Sequence, residues 1–125
     1  MNIIEIEGTE KTPMVHFDPL KGFMEFKGKS TPENAVKFYH PLLEWLELYS
    51  HQYQPKTEVN IYLDYFNSSS SKCILDIFKK LEMIQKSGGE VEVNWYFKEY
   101  DEDTLEAGED YKSILKLNFN LIEIN

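Results

Sequence analysis

Between Val59 and Phe97 the apolar pattern of the chain changes period twice. Val59, Ile61, Leu63 and Tyr65 alternate with Asn60, Tyr62, Asp64 and Phe66. Ile74, Ile77, Phe78, Leu81 and Ile84 then recur at three and four, and Val91, Val93, Trp95 and Phe97 return to alternation. Alternation buries one face of a strand, and three-four spacing one face of a helix. The stretch therefore predicts strand, helix, strand, with Gly88-Gly89 stopping the helix. Two strands joined through a helix imply parallel pairing and a right-handed crossover, with the helix packed on the sheet.

The flanking segments extend this plan. Ile4 and Ile6 alternate with Glu5 and Glu7 as a short strand, and Val15-His16-Phe17 and Phe23-Met24-Glu25-Phe26 flank the connector Asp18-Pro19-Leu20-Lys21-Gly22. Pro and Gly in so short a connector predict a β-hairpin. Ser30-Thr31-Pro32-Glu33 reads as a helix start, with Ser30 capping and Glu33 closing a capping box, or Thr31 capping with Pro32 in the first turn. Ala35, Phe38, Tyr39, Leu42, Leu46 and Tyr49 supply its buried stripe. Pro41 inside that stripe is expected to kink the helix or split it. A third helix is expected around Asp110 to Leu115, followed by the apolar run Phe119-Asn120-Leu121-Ile122. The expected fold is α/β, a mixed sheet with helices packed on it and a hairpin at its beginning. A chain of 125 residues has room for one such core, so residues 1–125 are expected to form one domain.

Charge narrows the function. The formal net charge is −9, and all thirteen basic residues are lysine. Such a field repels nucleic acid and anionic membranes, and the absence of arginine removes the usual bidentate fork for phosphate. No apolar run approaches the length of a membrane span, and the N-terminus has no signal-peptide pattern. A lone cysteine, Cys73, sits beside a helical stripe and fits a core thiol in a reducing cytoplasm.

Little in the sequence offers catalysis. His16, His40 and His51 are scattered without metal-ligand spacing. Gly88-Gly89 lacks the phosphate-loop spacing, and no Gly-x-Ser-x-Gly elbow occurs. The acidic stretch Glu99, Asp101, Glu102, Asp103, Glu106, Glu109 and Asp110 departs from the calcium-loop pattern at Leu105 and Glu106. It reads either as a solvated face leading into a helix start or as a cation site serving a metal-dependent hydrolase.

Asn67-Ser68-Ser69-Ser70-Ser71-Lys72 lies where a strand ends and a helix begins. Ligands and modifications of open α/β sheets are found at this edge, and free amides at a helix start favour a phosphate. Serines also cap helices and populate loops, so spacing alone leaves both readings open.

Several segments, in order, resemble one family. Gly28 to Ala35, Phe38-Tyr39-His40-Pro41-Leu42, Asp64 to Lys72, Asp101-Glu102-Asp103 and Gly108-Glu109-Asp110-Tyr111 look like the SiaC family of bacterial regulatory phosphoproteins, over about Thr12 to Leu121. The resemblance implies a fold similar to the STAS type of anti-sigma factor antagonists. It also implies a partner-switching circuit in the cytoplasm. A dedicated Ser/Thr kinase phosphorylates the protein, a metal-dependent phosphatase reverses this, and the unphosphorylated form activates a diguanylate cyclase, raising cyclic di-GMP and with it aggregation or biofilm formation. No cofactor and no catalytic activity of its own are implied. The family acceptor follows Phe-Asn and lands on Ser68, where the family has threonine; Ser69 is the second choice. Asn67, Ser69, Ser70, Lys72, Glu33 and Asn34 are the expected partner contacts. An unmodified scaffold is the remaining alternative, and it predicts that Ser68→Ala and Ser68→Asp bind partners alike.

Overall fold

The period-two segments pair edge to edge in their order along the chain. The computed structural model describes residues 1–125 as one six-stranded sheet of order β1-β2-β3-β4-β5-β6. The strands are β1 (Ile4–Ile6), β2 (Met14–Asp18), β3 (Phe23–Ser30), β4 (Lys56–Phe66), β5 (Glu90–Lys98) and β6 (Asn118–Ile124). β1, β2 and β3 pair antiparallel; β3 to β6 pair parallel. The hairpin expected at Asp18–Gly22 is present, and Gly22 supplies the positive φ of 62° that its turn needs.

Three helices make the parallel connections: α1 (Ala35–Tyr49), α2 (Ser68–Lys86) and α3 (Glu102–Ile114). Each crossover advances one strand in the same direction, so a constant hand puts every helix on one face. Their stripes meet Val15, Phe17, Met24, Phe26, Val59, Ile61, Val93, Trp95 and Phe119 in a single buried cluster. The register Met24↔Val59, Val59↔Val93 and Val93↔Phe119 sets these side chains in one row across the sheet.

The opposite face carries no helix, which is unusual for parallel strands. It is kept in water by polar rows. Asn60, Asn94 and Asn120 form an amide ladder, Asn94 donating to Asn60 at 2.9 Å and Asn120 to Asn94 at 3.0 Å. Beside it the Tyr62 and Tyr96 rings stack 3.9 Å apart, with the Lys27 ammonium over Tyr62.

Three local expectations need correction. Helix α1 begins neither at Ser30 nor at Thr31: its cap is Asn34, whose side chain accepts from Lys37 N at 3.1 Å. Ser30 is instead the last residue of β3, paired with Phe66, because its hydroxyl and carbonyl are both bonded inside the fold. Pro41 does not split α1, which runs unbroken through it. The missing N–H orphans only the Lys37 carbonyl, and both residues lie on the exposed side, so the carbonyl is open to solvent rather than buried unpaired. Finally, α3 starts eight residues before the expected Asp110 and takes in most of the acidic stretch. Its buried positions are Thr104, Gly108 and Tyr111, two of which carry no apolar signal.

Candidate functional site

The candidate site is built where parallel strands β3 and β4 end side by side. Asn67 N donates to the Ser30 carbonyl at 3.1 Å, which carries the pairing one residue past the strand. Asn67 then turns the chain: its side chain accepts from Ser70 N at 2.9 Å and its carbonyl from Ser71 N at 2.9 Å. Asn67 is therefore the N-cap of α2, and the four serines are its first turn. That turn contains no acidic residue. The amides of Ser68 and Ser69 have no helical acceptor, as in any helix start.

The helix sorts the four hydroxyls. Ser68 and Ser69 are exposed, Ser70 is completely buried, and Ser71 is half-buried. The Ser70 hydroxyl donates to the Ser30 carbonyl at 2.9 Å, and the Ser30 hydroxyl donates to Ser70 Oγ at 2.8 Å. Each hydroxyl has one proton, so in the 2.6 Å contact of Tyr39 with Ser30 the phenol is the donor. On the other side, Tyr111 OH donates to the Ser71 carbonyl at 2.8 Å and receives the Ser71 hydroxyl at 2.9 Å. The start of α2 is thus tied to β3, α1 and α3. Burial pushes the Tyr39 phenol up to about 12 and raises Tyr111 as well, so both stay protonated donors. No buried polar side-chain atom is left without a partner.

The residues expected to contact a partner fall into two groups. Ser69 and Lys72 are exposed beside Ser68, and Lys72 stands one helical turn along at the i+4 position. Glu33 and Asn34 are exposed at the start of α1, on the same edge of the sheet, although Asn34 commits its side-chain oxygen to the cap. Asn67 is half-buried and likewise committed to its cap. Ser70 has to be moved from the surface to the interior. A helix turns the same face inward every third or fourth residue, and a run of identical residues hides which one. Ser30, Tyr39 and Tyr111 went unread as site residues. Their partners are 9 and 40 residues distant, and no local pattern announces them.

The other candidates do not assemble into a reactive centre. Cys73 is buried, and burial raises its thiol further from the reactive thiolate. His16, His40 and His51 each sit beside one glutamate, at 3.5, 3.2 and 3.6 Å, in separate places. Asp101 caps α3, accepting from Thr104 N at 3.0 Å and Thr104 Oγ1 at 2.7 Å, while Glu102 and Asp103 occupy its first turn. A cavity of about 190 Å³ lies between Tyr65, Phe66 and α3, with Asp64, Asp101 and Asp103 at its wall. No three of the chain's His, Cys, Asp and Glu side chains come close enough to hold a metal ion. No helix is long and apolar enough to cross a membrane.

Comparison with known proteins covers nearly the whole chain. The SiaC family model, described as "SiaC family regulatory phosphoprotein", matches residues 6–124. An uncharacterized protein of Pseudomonas aeruginosa (strain UCBPP-PA14) is 30% identical over 112 residues, 90% of this chain and 89% of that protein. The solved structure of SiaC of Pseudomonas aeruginosa superposes with a TM-score of 0.91 at 27% identity, over 99% of this chain and 100% of that one. A TM-score of 0.91 and 27% identity also relate the chain to the crystal structure of the diguanylate cyclase SiaD in complex with its activator SiaC, from the same species, covering 97% of this chain and 99% of that one.

Proposed function

The chain belongs to the SiaC family of regulatory phosphoproteins, and on that footing we propose that it is a phosphorylation-switched activator of a diguanylate cyclase. Unmodified, it docks on the cyclase with the edge around the start of α2. A Ser/Thr kinase transfers the terminal phosphoryl group of ATP to Ser68 Oγ, the hydroxyl proton leaving, and the complex is released. A metal-dependent phosphatase hydrolyses the ester and restores binding. The circuit operates in the cytoplasm, and the chain itself catalyses nothing.

The observation that carries this reading is the sorting of the four serines. Ser68 follows Phe66-Asn67, is exposed, and lies in the first turn of a helix with no acidic residue to oppose a phosphate. Ser70 is buried with its proton engaged, and Ser71 is bonded to Tyr111. Ser69 is exposed and stays the second choice of acceptor. Phosphate at Ser68 adds close to two negative charges to a surface that has to be desolvated on docking, enough to break a contact. The SiaC of Pseudomonas aeruginosa is an activator of the cyclase SiaD, which makes a diguanylate cyclase the partner to test.

Phosphopeptide mapping of the protein from its host, followed by binding of Ser68→Ala and Ser68→Asp to the host's purified diguanylate cyclases, tests the switch. Phosphate on Ser68, with Ser68→Ala bound and Ser68→Asp released, supports it. If the two variants bind alike, the chain is an unmodified scaffold.

A further inference from the structure

The exposed side of α2 is a single stripe. Ser68, Lys72, Asp76, Lys79, Met83 and Lys86 are exposed at spacings of four, four, three, four and three, with exposed Ser69 beside the first of them. It carries three lysines against one carboxylate, whereas Glu102, Asp103, Glu106, Glu109 and Asp110 face solvent on α3 with only Lys112 among them. In a chain of net charge −9, α2 alone among the helices presents a clearly positive outer side.

These lysines also stand free. The chain's lysine ion pairs use Lys27, Lys56, Lys80 and Lys98, and none uses Lys72, Lys79 or Lys86. Lys86 lies in the last turn, where the carbonyl end of the helix favours a cation. Lys72 has no such reason: it sits near the amide end, where a cation is unfavourable, and no acidic residue in the first turn compensates it. Lys79 is mid-helix and unpaired. Asp76 lies between Lys72 and Lys79 at spacings of four and three, yet neither lysine makes an ion pair with it.

We infer that this stripe is a docking surface for an acidic segment of the partner protein, and that Ser68 phosphorylation works by inverting the sign of its Lys72 end. This rests on the reading of Ser68 as the acceptor. Before modification, the amide end of α2 and the free lysines attract carboxylates across a stripe of about 27 Å. Phosphate on Ser68 lies one turn from Lys72, takes that ammonium as its own i+4 partner and repels the approaching carboxylates. Lys79 is about 16 Å along the axis, roughly two Debye lengths at physiological ionic strength. The phosphate therefore silences the Lys72 end and leaves the far end positive. An acidic partner also gives the switch its sign, because a basic partner would gain attraction from the phosphate.

Titration calorimetry with the host's purified diguanylate cyclases, using unmodified protein and protein carrying genetically encoded phosphoserine at 68, is the test. For unmodified protein, affinity is expected to fall about tenfold or more between about 50 and 500 mM salt. The double variant Lys72→Glu, Lys79→Glu is expected to bind at least about tenfold more weakly and to lose most of that salt dependence. Lys21→Glu, at the opposite end of the sheet, reverses one charge where the double variant reverses two, and is expected to stay within about twofold of the parent. In the phosphoserine protein Lys72→Gln is expected to cost nothing further, while Lys86→Gln costs as much as without phosphate. A double reversal that leaves affinity and salt dependence within twofold of the parent overturns the stripe while the activator reading stands. Binding to none of the cyclases overturns both together.

Discussion

Ser30 and Ser70, 40 residues apart in the chain, close a reciprocal hydrogen-bonded pair: Ser70 Oγ donates to the Ser30 carbonyl at 2.9 Å and Ser30 Oγ donates back to Ser70 Oγ at 2.8 Å. Both residues are fully buried. The pair fastens the first turn of α2 to the end of β3 from beneath, so that Ser68 and Ser69 are presented on a fixed support.

Breaking that pair is expected to cost far more than its small side chains suggest. Ser70→Ala takes the acceptor from the buried Ser30 hydroxyl proton and leaves the Ser30 carbonyl with Asn67 N alone, a penalty of about 1–3 kcal/mol. Ser69→Ala, at an exposed neighbour, is expected to change stability by less than about 0.5 kcal/mol. Urea unfolding of the two variants separates them, and equal midpoints would count against the buried pair.

Alkaline pH is expected to loosen the same region. Tyr39 titrates near 10.0 when unfolded and is pushed up to about 12 in the fold, chiefly by burial. Below pH 10 both states keep the proton and stability is flat. Between pH 10 and 12 the unfolded chain loses it first, so stability falls, by on the order of 2 kcal/mol from this one group. Urea midpoints from pH 8 to 12 should show a shallower decline for Tyr39→Phe than for the parent. A parallel decline would remove Tyr39 as a cause.

Gly108 is expected to tolerate no side chain. A Cβ there would stand 2.5 and 2.6 Å from the Trp95 ring and 2.7 Å from Leu121 Cδ2. Trp95 is fully buried and its indole N–H donates to the Thr104 carbonyl at 2.9 Å, so the ring cannot swing aside without losing that bond. Gly108→Ala should therefore destabilise by about 1–3 kcal/mol despite the helix propensity it gains, and should shift the tryptophan emission.

The amide ladder on the open face makes a graded prediction. Asn94 is its centre, bonded to both Asn60 and Asn120, and is buried; Asn120 lies on the edge strand and is half-buried. Asn94→Ala strips a partner from each neighbour and is expected to cost about 1–3 kcal/mol, against less than about 1 kcal/mol for Asn120→Ala. Thermal melts that rank the two the other way would show that water replaces the ladder without loss.

Local patterning was enough to mark strands β1 to β5, helices α1 and α2 and the parallel order of β4 and β5, because period and turn residues are local properties of the chain; the last apolar run was not marked as the strand β6. The pattern also located the edge where the serine run lies, since β4 must end before α2 begins. Tertiary structure decided the rest. The start of α1 passed from Ser30 to Asn34 because Ser30 is consumed by contacts with Tyr39 and Ser70. The length of α3 was hidden because Thr104 and Gly108 are chosen for fit against Trp95, not for hydrophobicity. Which serine is buried follows from the rotation of α2 about its own axis, set by partners tens of residues away. Local patterning encodes how much apolar surface an element must hide; only the assembled fold determines which polar atoms are carried inside with it, since each of those has to be satisfied by a neighbour that the chain brings from elsewhere.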